Sequence, residues 1–274
     1  MIKRVLITAL PISVSLVTAL FAFVPDSILQ YINFFKFENE YVNLMLIRIF
    51  ILVVAFVILF VGILLYRLFK RSVVIKGKEY VVEVAYKNIF DLHNCLKVIN
   101  FDECLTTRVG LKPEDIKAGS VCGQYLTKFP LTDEEVTNLR DEYGLKPTSR
   151  KSNFNRQTCY ESGRLLPKDD FLIMVFARLN KDGRGTMTRD EYIDCLNVLW
   201  REIDKYHGEK SVAIPVLGSN ITYFEDSELS QQELLDIMIS SYKINRRKIK
   251  KPQKLIICCR KKDNFSLNKI GEFI

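Results

Sequence analysis

The chain has 274 residues, and its 40 lysines and arginines outnumber its 32 aspartates and glutamates, which gives a net charge of +8. This balance is compatible with an anionic membrane surface or an anionic ligand. Nucleic acid is not favoured as a partner, because the sequence has neither zinc-ligand spacing nor a helix-turn-helix pattern. The 7 cysteines are an odd number without C-x-x-C spacing, which predicts free thiols in a reducing cytoplasm and no metal site.

Two apolar stretches at the front predict a transmembrane hairpin over residues 1–72, with spans at about 5–24 and 44–66. A span needs roughly 20 apolar residues, and both stretches are long enough. The alternative for the first stretch is a secretory signal peptide, because Lys3 and Arg4 resemble its charged start. We favour a retained span, since the apolar run is longer than the usual ~7–15 residues and no small-x-small cleavage site ends it.

Basic residues at the two ends of the hairpin predict its orientation. Lys3 and Arg4 precede the first span and a basic cluster follows the second, whereas Lys36 is the sole basic residue between the spans. The positive-inside rule therefore predicts that both ends lie in the cytoplasm. Arg48 lies about one turn into the second apolar run, where it either extends to the outer interface or faces a partner span or a pore.

Apolar strand patterns alternate with amphipathic helix patterns over residues 73–274, which predicts one α/β domain with a largely parallel sheet. The predicted strands are Glu79–Val84, Cys95–Ile99, Phe171–Ala177, Val212–Ile214 and Lys254–Cys259. The predicted helical segments are Leu131–Leu145 with Thr132 as its cap, Thr188–Tyr206, and a helix that Ser230 opens. The polar stretch Lys146–Gln157 is predicted to be a loop.

Two small-residue loops are candidate phosphate-binding segments. Gly218, Ser219, Asn220 and Ile221 follow a buried strand and precede a helix, an order in which backbone N–H groups approach an anion. The second loop, Lys117–Tyr125, places small residues ahead of a helical start. Each loop could equally be a tight connection between two elements, because a single loop of this kind is a weak signal.

The segment Asn180–Glu191 resembles a twelve-residue EF-hand loop, with glycine at position six and glutamate at position twelve. However, position one is Asn180 instead of aspartate, and Arg184 stands where a calcium ligand belongs. The residues before it resemble a strand more than a helix, and no second EF-hand accompanies it. The sequence therefore favours a glycine-rich turn from strand to helix that is capped by Thr188.

Three segments in a fixed order carry a resemblance to a known family. Lys87–Phe90 lies near the start of the domain, Ser120–Tyr125 follows, and Lys210–Ile221 comes after an amphipathic helix. Together they resemble a macro domain, an ADP-ribose-binding module of three α/β/α layers. With two spans in front, the chain is similar to the membrane-anchored branch of bacterial Thoeris-type antiphage effectors.

The resemblance implies roles for matching positions in this chain. The distal loop after the buried strand would wrap the distal phosphate and ribose, and the loop before the helical start would form the facing phosphate loop. The implied ligand-binding residues are Asn88 at the adenine position, Thr106, Thr107, Ser120, Val121, Cys122, Gly123, Gln124, Gly218, Ser219, Asn220 and Ile221.

Three departures from the family pattern bear on catalysis. Asn88 replaces the usual adenine-recognising aspartate, although a neutral amide can still hydrogen-bond the exocyclic amine. Asn220 replaces the second glycine of the distal loop, and Phe101–Glu103 replaces the asparagine-rich segment of hydrolytic macro domains. The departures weaken the interpretation as an enzyme more than the interpretation as a binding module, and no catalytic residue is predicted.

The resemblance implies a signal-gated antiphage effector in the bacterial inner membrane, with both termini and the macro-like domain in the cytoplasm. A TIR-type partner enzyme would consume NAD and release an ADP-ribose-derived messenger, which the macro-like domain would bind. The protein, as a homo-oligomer, would then disrupt the lipid bilayer. Two alternatives stay open: a membrane-tethered ADP-ribosyl hydrolase, and a membrane-anchored scaffold whose domain binds protein. No cofactor and no nucleic-acid partner is expected.

Overall fold

The structure is a computed structural model that describes residues 2–25, 28–29, 40–112, 115–219, 222–226, 228–262 and 265–270. The chain divides into two compact units, Met1–Lys70 and Arg71–Ile274. The predicted boundary between residues 72 and 73 falls close to this division. Each unit is described on its own.

The first unit consists of two helices, α1 (Ile2–Phe23) and α2 (Glu40–Leu68), that pack against each other. The most buried positions of α1 recur at every fourth residue, which places them in one stripe along the helix. Ala9 and Ser13 in this stripe are small, so they allow a close approach between the helices. The remaining apolar side chains of both helices are largely exposed.

Both helices are long and apolar enough to cross a membrane. The qualifying stretches are Val5–Phe23, with 19 residues, and Tyr41–Leu68, with 28 residues. At 1.5 Å per residue these lengths are about 28 Å and 42 Å, against a hydrocarbon core of about 30 Å. The Arg48 guanidinium lies 5.6 Å from the ring centroid of Phe21, so it contacts the neighbouring helix of the same chain. The side chains of Lys3 and Arg4, and Lys36 in the connecting segment, lie outside the described residues.

The second unit is built on a nine-stranded sheet in the order β1-β2-β11-β9-β3-β7-β8-β10, with β6 paired to β7. The strands are β1 (Ser72–Lys76), β2 (Val81–Tyr86), β3 (Cys95–Asp102), β4 (Pro147–Lys151), β5 (Thr158–Tyr160), β6 (Leu165–Lys168), β7 (Phe171–Leu179), β8 (Gly185–Met187), β9 (Ser211–Pro215), β10 (Tyr223–Phe224) and β11 (Leu255–Cys259). The helices are α3 (Val121–Lys128), α4 (Asp133–Glu142), α5 (Arg189–Tyr206) and α6 (Gln231–Ile244). The five central strands β2, β11, β9, β3 and β7 pair in parallel, which confirms the predicted sheet.

Side chains that alternate across this sheet build two apolar cores. On one face, Val98 and Met174 pack with residues of α5 and α6. On the other face, Ile99 and Val175 pack with residues of α3 and α4. Parallel strands are apolar on both faces because helices cover both sides. The result is the predicted three-layer α/β/α arrangement.

The predicted helix starts are confirmed at three positions. Thr132, Thr188 and Ser230 each cap a helix, and in each case the glutamate three residues later bonds back to the cap. These capping boxes satisfy backbone N–H groups that have no partner inside the helix. Such signals involve neighbours in sequence, so they can be recognised without knowledge of the fold.

Two predicted features are wrong or incomplete, because they depend on distant pairing. Lys146–Gln157 is not a plain loop, since β4 in this stretch pairs antiparallel with β5. The predicted strand Glu79–Val84 is observed as Val81–Tyr86, and β1, which the sequence did not reveal, pairs antiparallel with it. β4 is polar and β1 is exposed at alternate positions, so neither has the continuously buried apolar pattern of the parallel core.

The EF-hand-like segment is a hairpin turn. The side-chain oxygen of Asn180 accepts hydrogen bonds at 2.9 Å from the backbone N–H groups of Asp182 and Arg184. The turn joins β7 to the short antiparallel strand β8, after which Thr188 caps α5. The preferred prediction of a glycine-rich turn capped by Thr188 is confirmed, with β8 as an additional element.

Glu103, which follows β3, connects three distant segments. Its side chain is buried, and one carboxylate oxygen accepts a hydrogen bond at 2.9 Å from the backbone N–H of Leu179. The other oxygen accepts one at 2.6 Å from the guanidinium of Arg150 on β4. Glu103 therefore joins the ends of β3, β7 and β4.

We expect Glu103→Ala to lower the free energy of unfolding by about 2 kcal/mol, because it leaves the N–H of Leu179 without its buried partner and removes the ion pair. Glu103→Gln keeps an acceptor and should cost less. Urea unfolding of the full chain in detergent measures both changes, with exposed Glu209→Ala as the matched control. Equal stability of the Glu103→Ala and Glu209→Ala variants would contradict this account.

Candidate functional site

A cleft of about 640 Å³ opens where the parallel strands β3, β7, β9 and β11 end. Each of these strands contributes residues at or just beyond its carboxyl end, among them Asp102, Leu179, Pro215 and Arg260. Ligands of open α/β sheets bind at this edge, outside the carboxyl ends of the strands. We call it the carboxyl-edge cleft.

The loop before α3 forms one wall of the carboxyl-edge cleft. The hydroxyl of Ser120 accepts a hydrogen bond at 2.9 Å from the backbone N–H of Gly123 and donates one at 2.7 Å to the carbonyl of Lys117. Val121 and Cys122, in the first turn of the helix, line the cleft. The first N–H groups of a helix lack intrahelical partners and favour an anion at this position.

The loop after β9 forms the facing wall. Gly218 has φ +75°, a left-handed conformation that glycine adopts without the penalty of a side chain. The hydroxyl of Ser219 donates a hydrogen bond at 2.8 Å to the carbonyl of Val216, and the ammonium of Lys262 donates to the carbonyl of Ser219. These bonds hold the loop close to the ends of the strands.

Cations from separate segments surround the two walls. Lys117, Arg184 and Arg260 line the cleft. The guanidinium of Arg260 donates to the carbonyl of Gly119 at 3.4 Å, so it connects β11 with the loop before α3. Burial and the nearby charge of Arg260 lower the pKa of Lys262. Asp102 and Asp115 also line the cleft, so three cations face two carboxylates, and the positive surplus favours an anionic ligand.

Asp102 is the carboxylate at the end of β3 that lines the cleft. It accepts hydrogen bonds from the backbone N–H groups of Cys104 at 2.8 Å and Thr106 at 3.2 Å. Burial raises the pKa of Asp102, while these bonds act in the opposite direction. Both bonds fall on one oxygen, Oδ1, through which Asp102 holds the turn after β3.

Cys122 does not have the surroundings of a nucleophile. Burial, with a smaller contribution from the charge of Asp102, raises the pKa of Cys122 well above its ordinary value. A thiol acts as a nucleophile in its deprotonated form, so this one is unreactive at neutral pH. Cys122 is therefore not a candidate nucleophile in this cleft.

The structure brings together five of the residues that the sequence implicates. Ser120, Val121, Cys122, Gly218 and Ser219 line the carboxyl-edge cleft from its two walls. Gly123 and Gln124 lie behind them in α3. Asn220 and Ile221 lie outside the described residues.

Three implicated residues stand apart from the lining of the cleft. Asn88 is exposed and caps the short helical turn Ile89–Asp91 through a hydrogen bond from the N–H of Phe90 at 3.3 Å. The N–H of Thr106 donates to Asp102, and the hydroxyl of Thr107 donates to Asp133 at 2.7 Å. Asn88 and Thr106 thus support local turns, whereas Thr107 connects the segment after β3 to the start of α4.

Other residues of the cleft were not implicated by the sequence. Arg184 is the cation that departs from the EF-hand pattern, and Arg260 belongs to the basic carboxyl-terminal stretch. Gln231 begins α6, and its amide nitrogen donates at 2.9 Å to the carbonyl of Arg260. Its amide oxygen is buried without a hydrogen-bond partner in the described part of the chain. The sequence signals for them were the unusual cation at Arg184 and the basic stretch that contains Arg260, which is compatible with an anionic ligand.

One side-chain cluster has the spacing of a metal site. The ligand atoms of Glu103, Cys104 and Cys159 lie within 4.8 Å of one another and are buried. Burial raises the pKa of Cys159 to about 11 and that of Cys104 still further. Both oxygens of Glu103 already accept bonds from Leu179 and Arg150. A metal ion in this cluster would have to displace the protons of two buried thiols and both hydrogen-bond partners of Glu103.

The contact of Gly123 with the preceding loop gives a test of the first wall. An added methyl group at Gly123 would collide with the carbonyl oxygen of Lys117 and lie 2.8 Å from the Cα of Ala118, whereas one at Gly119 would meet nothing within 4 Å. We expect Gly123→Ala to lower the free energy of unfolding by about 1–3 kcal/mol and Gly119→Ala to change it by about 0.5 kcal/mol or less. Thermal unfolding of both variants measures this, and equal melting temperatures would show that the close contact at Gly123 does not matter for stability.

Comparisons with known proteins agree with the fold and extend over most of the chain. A family model described as "Thoeris protein ThsA, Macro domain" matches residues 82–260. The "Thoeris protein ThsA" of Bacillus amyloliquefaciens (strain Y2) is 28% identical over 263 residues, which cover 91% of this chain and 86% of that protein.

Solved structures with a similar arrangement are macrodomains of Oceanobacillus iheyensis. A glycine-to-valine variant with ADPR has a TM-score of 0.45 and 11% identity, and the match covers 70% of this chain and 91% of that chain. The macrodomain with ADP has the same TM-score and identity, with coverage of 70% and 89%.

Proposed function

We propose a function from one premise: the chain belongs to the Thoeris ThsA macro-domain family. It is therefore a Thoeris antiphage effector with a macro domain. We infer that this domain binds an ADP-ribose-derived messenger released by a TIR-type enzyme that consumes NAD. Binding of the messenger would cause the apolar hairpin to disrupt the membrane.

The carboxyl-edge cleft is the observation that carries the choice of ligand. Its two walls each contain a small-residue loop, and Lys117, Arg184 and Arg260 supply positive charge between them. A nucleoside diphosphate ribose offers two phosphates for such walls and an apolar base and sugars for the rest of the cleft. The volume of the cleft, about 640 Å³, lies in the range of small-molecule sites.

The hairpin supports the second half of the proposal. Its two helices satisfy the length and composition of membrane spans, and the basic residues at its ends favour a cytoplasmic location for both termini in the inner membrane. A ligand can drive a rearrangement only by binding the active arrangement more tightly than the resting one. We propose that the active arrangement is a homo-oligomer, because several hairpins together can open a path through a bilayer.

A departure from the family pattern favours a sensor over a hydrolase. Phe101–Glu103 stands where hydrolytic macro domains have an asparagine-rich segment. Burial also raises the pKa of the Cys122 thiol well above its ordinary value, which disfavours it as a nucleophile. Both backbone hydrogen bonds of Asp102 fall on Oδ1, so its second oxygen is not engaged by the backbone, and recovery of intact ligand is the test of whether it acts as a base. We propose binding without turnover.

Replacement of Gly218 tests the cleft. An added methyl group there would lie 3.1 Å from the ring of Phe224 and would force a side chain into a left-handed conformation. We expect Gly218→Ala to weaken ADP-ribose binding by the full chain in detergent by about tenfold, since ~1.4 kcal/mol of distortion corresponds to that factor. Titration calorimetry measures the affinity.

Gly208→Ala is the matched control. Gly208 also has a positive φ, +57°, but an added methyl group would meet nothing within 4 Å, and the residue does not line the cleft. Gly208→Ala should keep the affinity of the original chain. In a separate test of turnover, ADP-ribose that is incubated for a long time with the original chain should be recovered intact. Unchanged affinity in Gly218→Ala would remove the cleft as the binding site, and steady conversion of the ligand would favour the hydrolase.

Membrane disruption is tested in cells. Co-expression of the full chain with a TIR-domain NAD-consuming enzyme should admit a membrane-impermeant dye, because the enzyme supplies the messenger. The Gly218→Ala variant, or residues 71–274 alone, should leave cells impermeable. Dye entry in cells without any NAD-consuming partner would show that the messenger does not gate the hairpin.

A further inference from the structure

Lys97 is a buried lysine in the middle of the parallel sheet. It lies on β3, with 8% of its surface exposed, between Phe171 on β7 and Ala213 on β9. Its ammonium lies 5.4 Å from the centroid of the Phe171 ring. The ammonium makes no hydrogen bond or salt bridge to any residue that the structure describes. Burial of an ammonium is costly unless the charge has a partner.

The ammonium of Lys97 borders a second pocket, at the amino ends of β3 and β7. The pocket has a volume of about 340 Å³, and we call it the amino-edge pocket. Its walls are aromatic, with Phe90, Phe129 and Phe171, and carry charges of both signs, with Lys97, Lys128, Asp169 and Asp170.

The amino-edge pocket is separate from the carboxyl-edge cleft. Lys97 and Asp102 lie five residues apart on the same strand, which corresponds to about 16 Å at ~3.3 Å per residue. The two sites lie at opposite edges of the sheet and share no lining residue. A ligand of the cleft therefore cannot neutralise Lys97.

The aromatic walls of the pocket are held in place by the core. The ring of Phe171 lies 4.9 Å from that of Phe129 and 4.8 Å from that of Tyr125, measured between centroids. The ammonium of Lys128 lies 4.8 Å from the centroid of Phe90. The rings thus form an apolar surface with a positive charge at two places.

The charges around the pocket leave a surplus of one positive charge. Its lining carries two carboxylates, Asp169 and Asp170, and two ammonium groups, Lys97 and Lys128. Lys210, which does not line the pocket, pairs with Asp170 at 3.0 Å, so two carboxylates are opposed by three lysines. Asp170 also attracts Lys97 electrostatically, but the two make no salt bridge. An anion that enters the pocket would therefore meet the ammonium of Lys97 without having to displace a salt bridge from it.

We propose that the amino-edge pocket is a second binding site, for a small aromatic anion. The carboxylate or phosphate of such a ligand accepts hydrogen bonds from the ammonium of Lys97, and its ring packs against Phe129 and Phe171. Charge-assisted hydrogen bonds of this kind are strong, and planar rings pack well against phenyl groups. The volume of the pocket accommodates a single substituted ring.

The probe for this site is phenyl phosphate, titrated against the full chain in detergent by calorimetry. Binding should become roughly tenfold weaker or worse in Lys97→Met, because a charge-assisted hydrogen bond is lost. Lys205→Met removes an exposed lysine from α5 and is the matched control, which should bind as the original chain does. An excess of ADP-ribose should not displace the probe.

Phe129→Ala provides a second variant. Phe129 is half exposed, so its replacement should leave the domain folded while it removes part of the aromatic wall. It should also weaken the binding of phenyl phosphate, and benzyl alcohol, which lacks the anion, should bind poorly to every variant. Binding of phenyl phosphate that is absent at millimolar concentration, or equal in the original chain and Lys97→Met, would overturn the proposal and leave Lys97 as a packing residue.

Discussion

Parallel pairing of β2, β11, β9, β3 and β7 is the constraint on which the rest of the second unit depends. Parallel neighbours need crossover connections, and helices that make these crossovers cover both faces of the sheet. All carboxyl ends then meet at one edge, and all amino ends at the other. The carboxyl-edge cleft and the amino-edge pocket are consequences of this single arrangement.

The cleft combines a rigid floor with backbone groups that can approach a ligand. Gly123 has no space for a side chain against Lys117, and Gly218 uses a conformation that costs other residues energy. Three cations from segments that are distant in sequence line the same cleft: Lys117, Arg184 and Arg260. Backbone approach and positive charge together favour a phosphate-bearing ligand over a neutral one.

Three charged residues in or next to β3 have different surroundings, and those surroundings indicate different roles. Glu103 is paired with Arg150 and with a backbone N–H, so it stabilises the fold. Asp102 accepts two backbone hydrogen bonds and shapes the edge of the cleft. Lys97 has an aromatic ring beside its ammonium but no acceptor among the described residues, which is why it is a candidate to bind an anion from outside the chain. Glu103 and Asp102 therefore have structural roles, whereas Lys97 is the charge that we propose binds a ligand.

Helix α3 connects the two edges of the sheet. Its first turn, at Val121 and Cys122, lines the carboxyl-edge cleft, and its last residue, Lys128, lines the amino-edge pocket. The helix is short and packs through Tyr125 against Phe171 and Phe101. Both sites therefore depend on the position of one rigid element, which itself depends on the capping bond of Ser120.

The sequence by itself determined the features that arise from near neighbours. The caps at Thr132, Thr188 and Ser230, the apolar core strands and the two long apolar helices follow from local hydrogen bonds and hydrophobic periodicity. The two small-residue loops were recognisable for the same reason, and the resemblance to a family linked them. Tertiary structure alone decided that β4 pairs with β5. It also decided that Arg184 and Arg260 line one cleft while Asn88 lies apart from it. In the same way, only the fold shows that Lys97 is a buried residue whose ammonium has no acceptor among the described residues. These outcomes depend on which distant segments meet, and pairing between distant segments leaves no periodic signal in the chain.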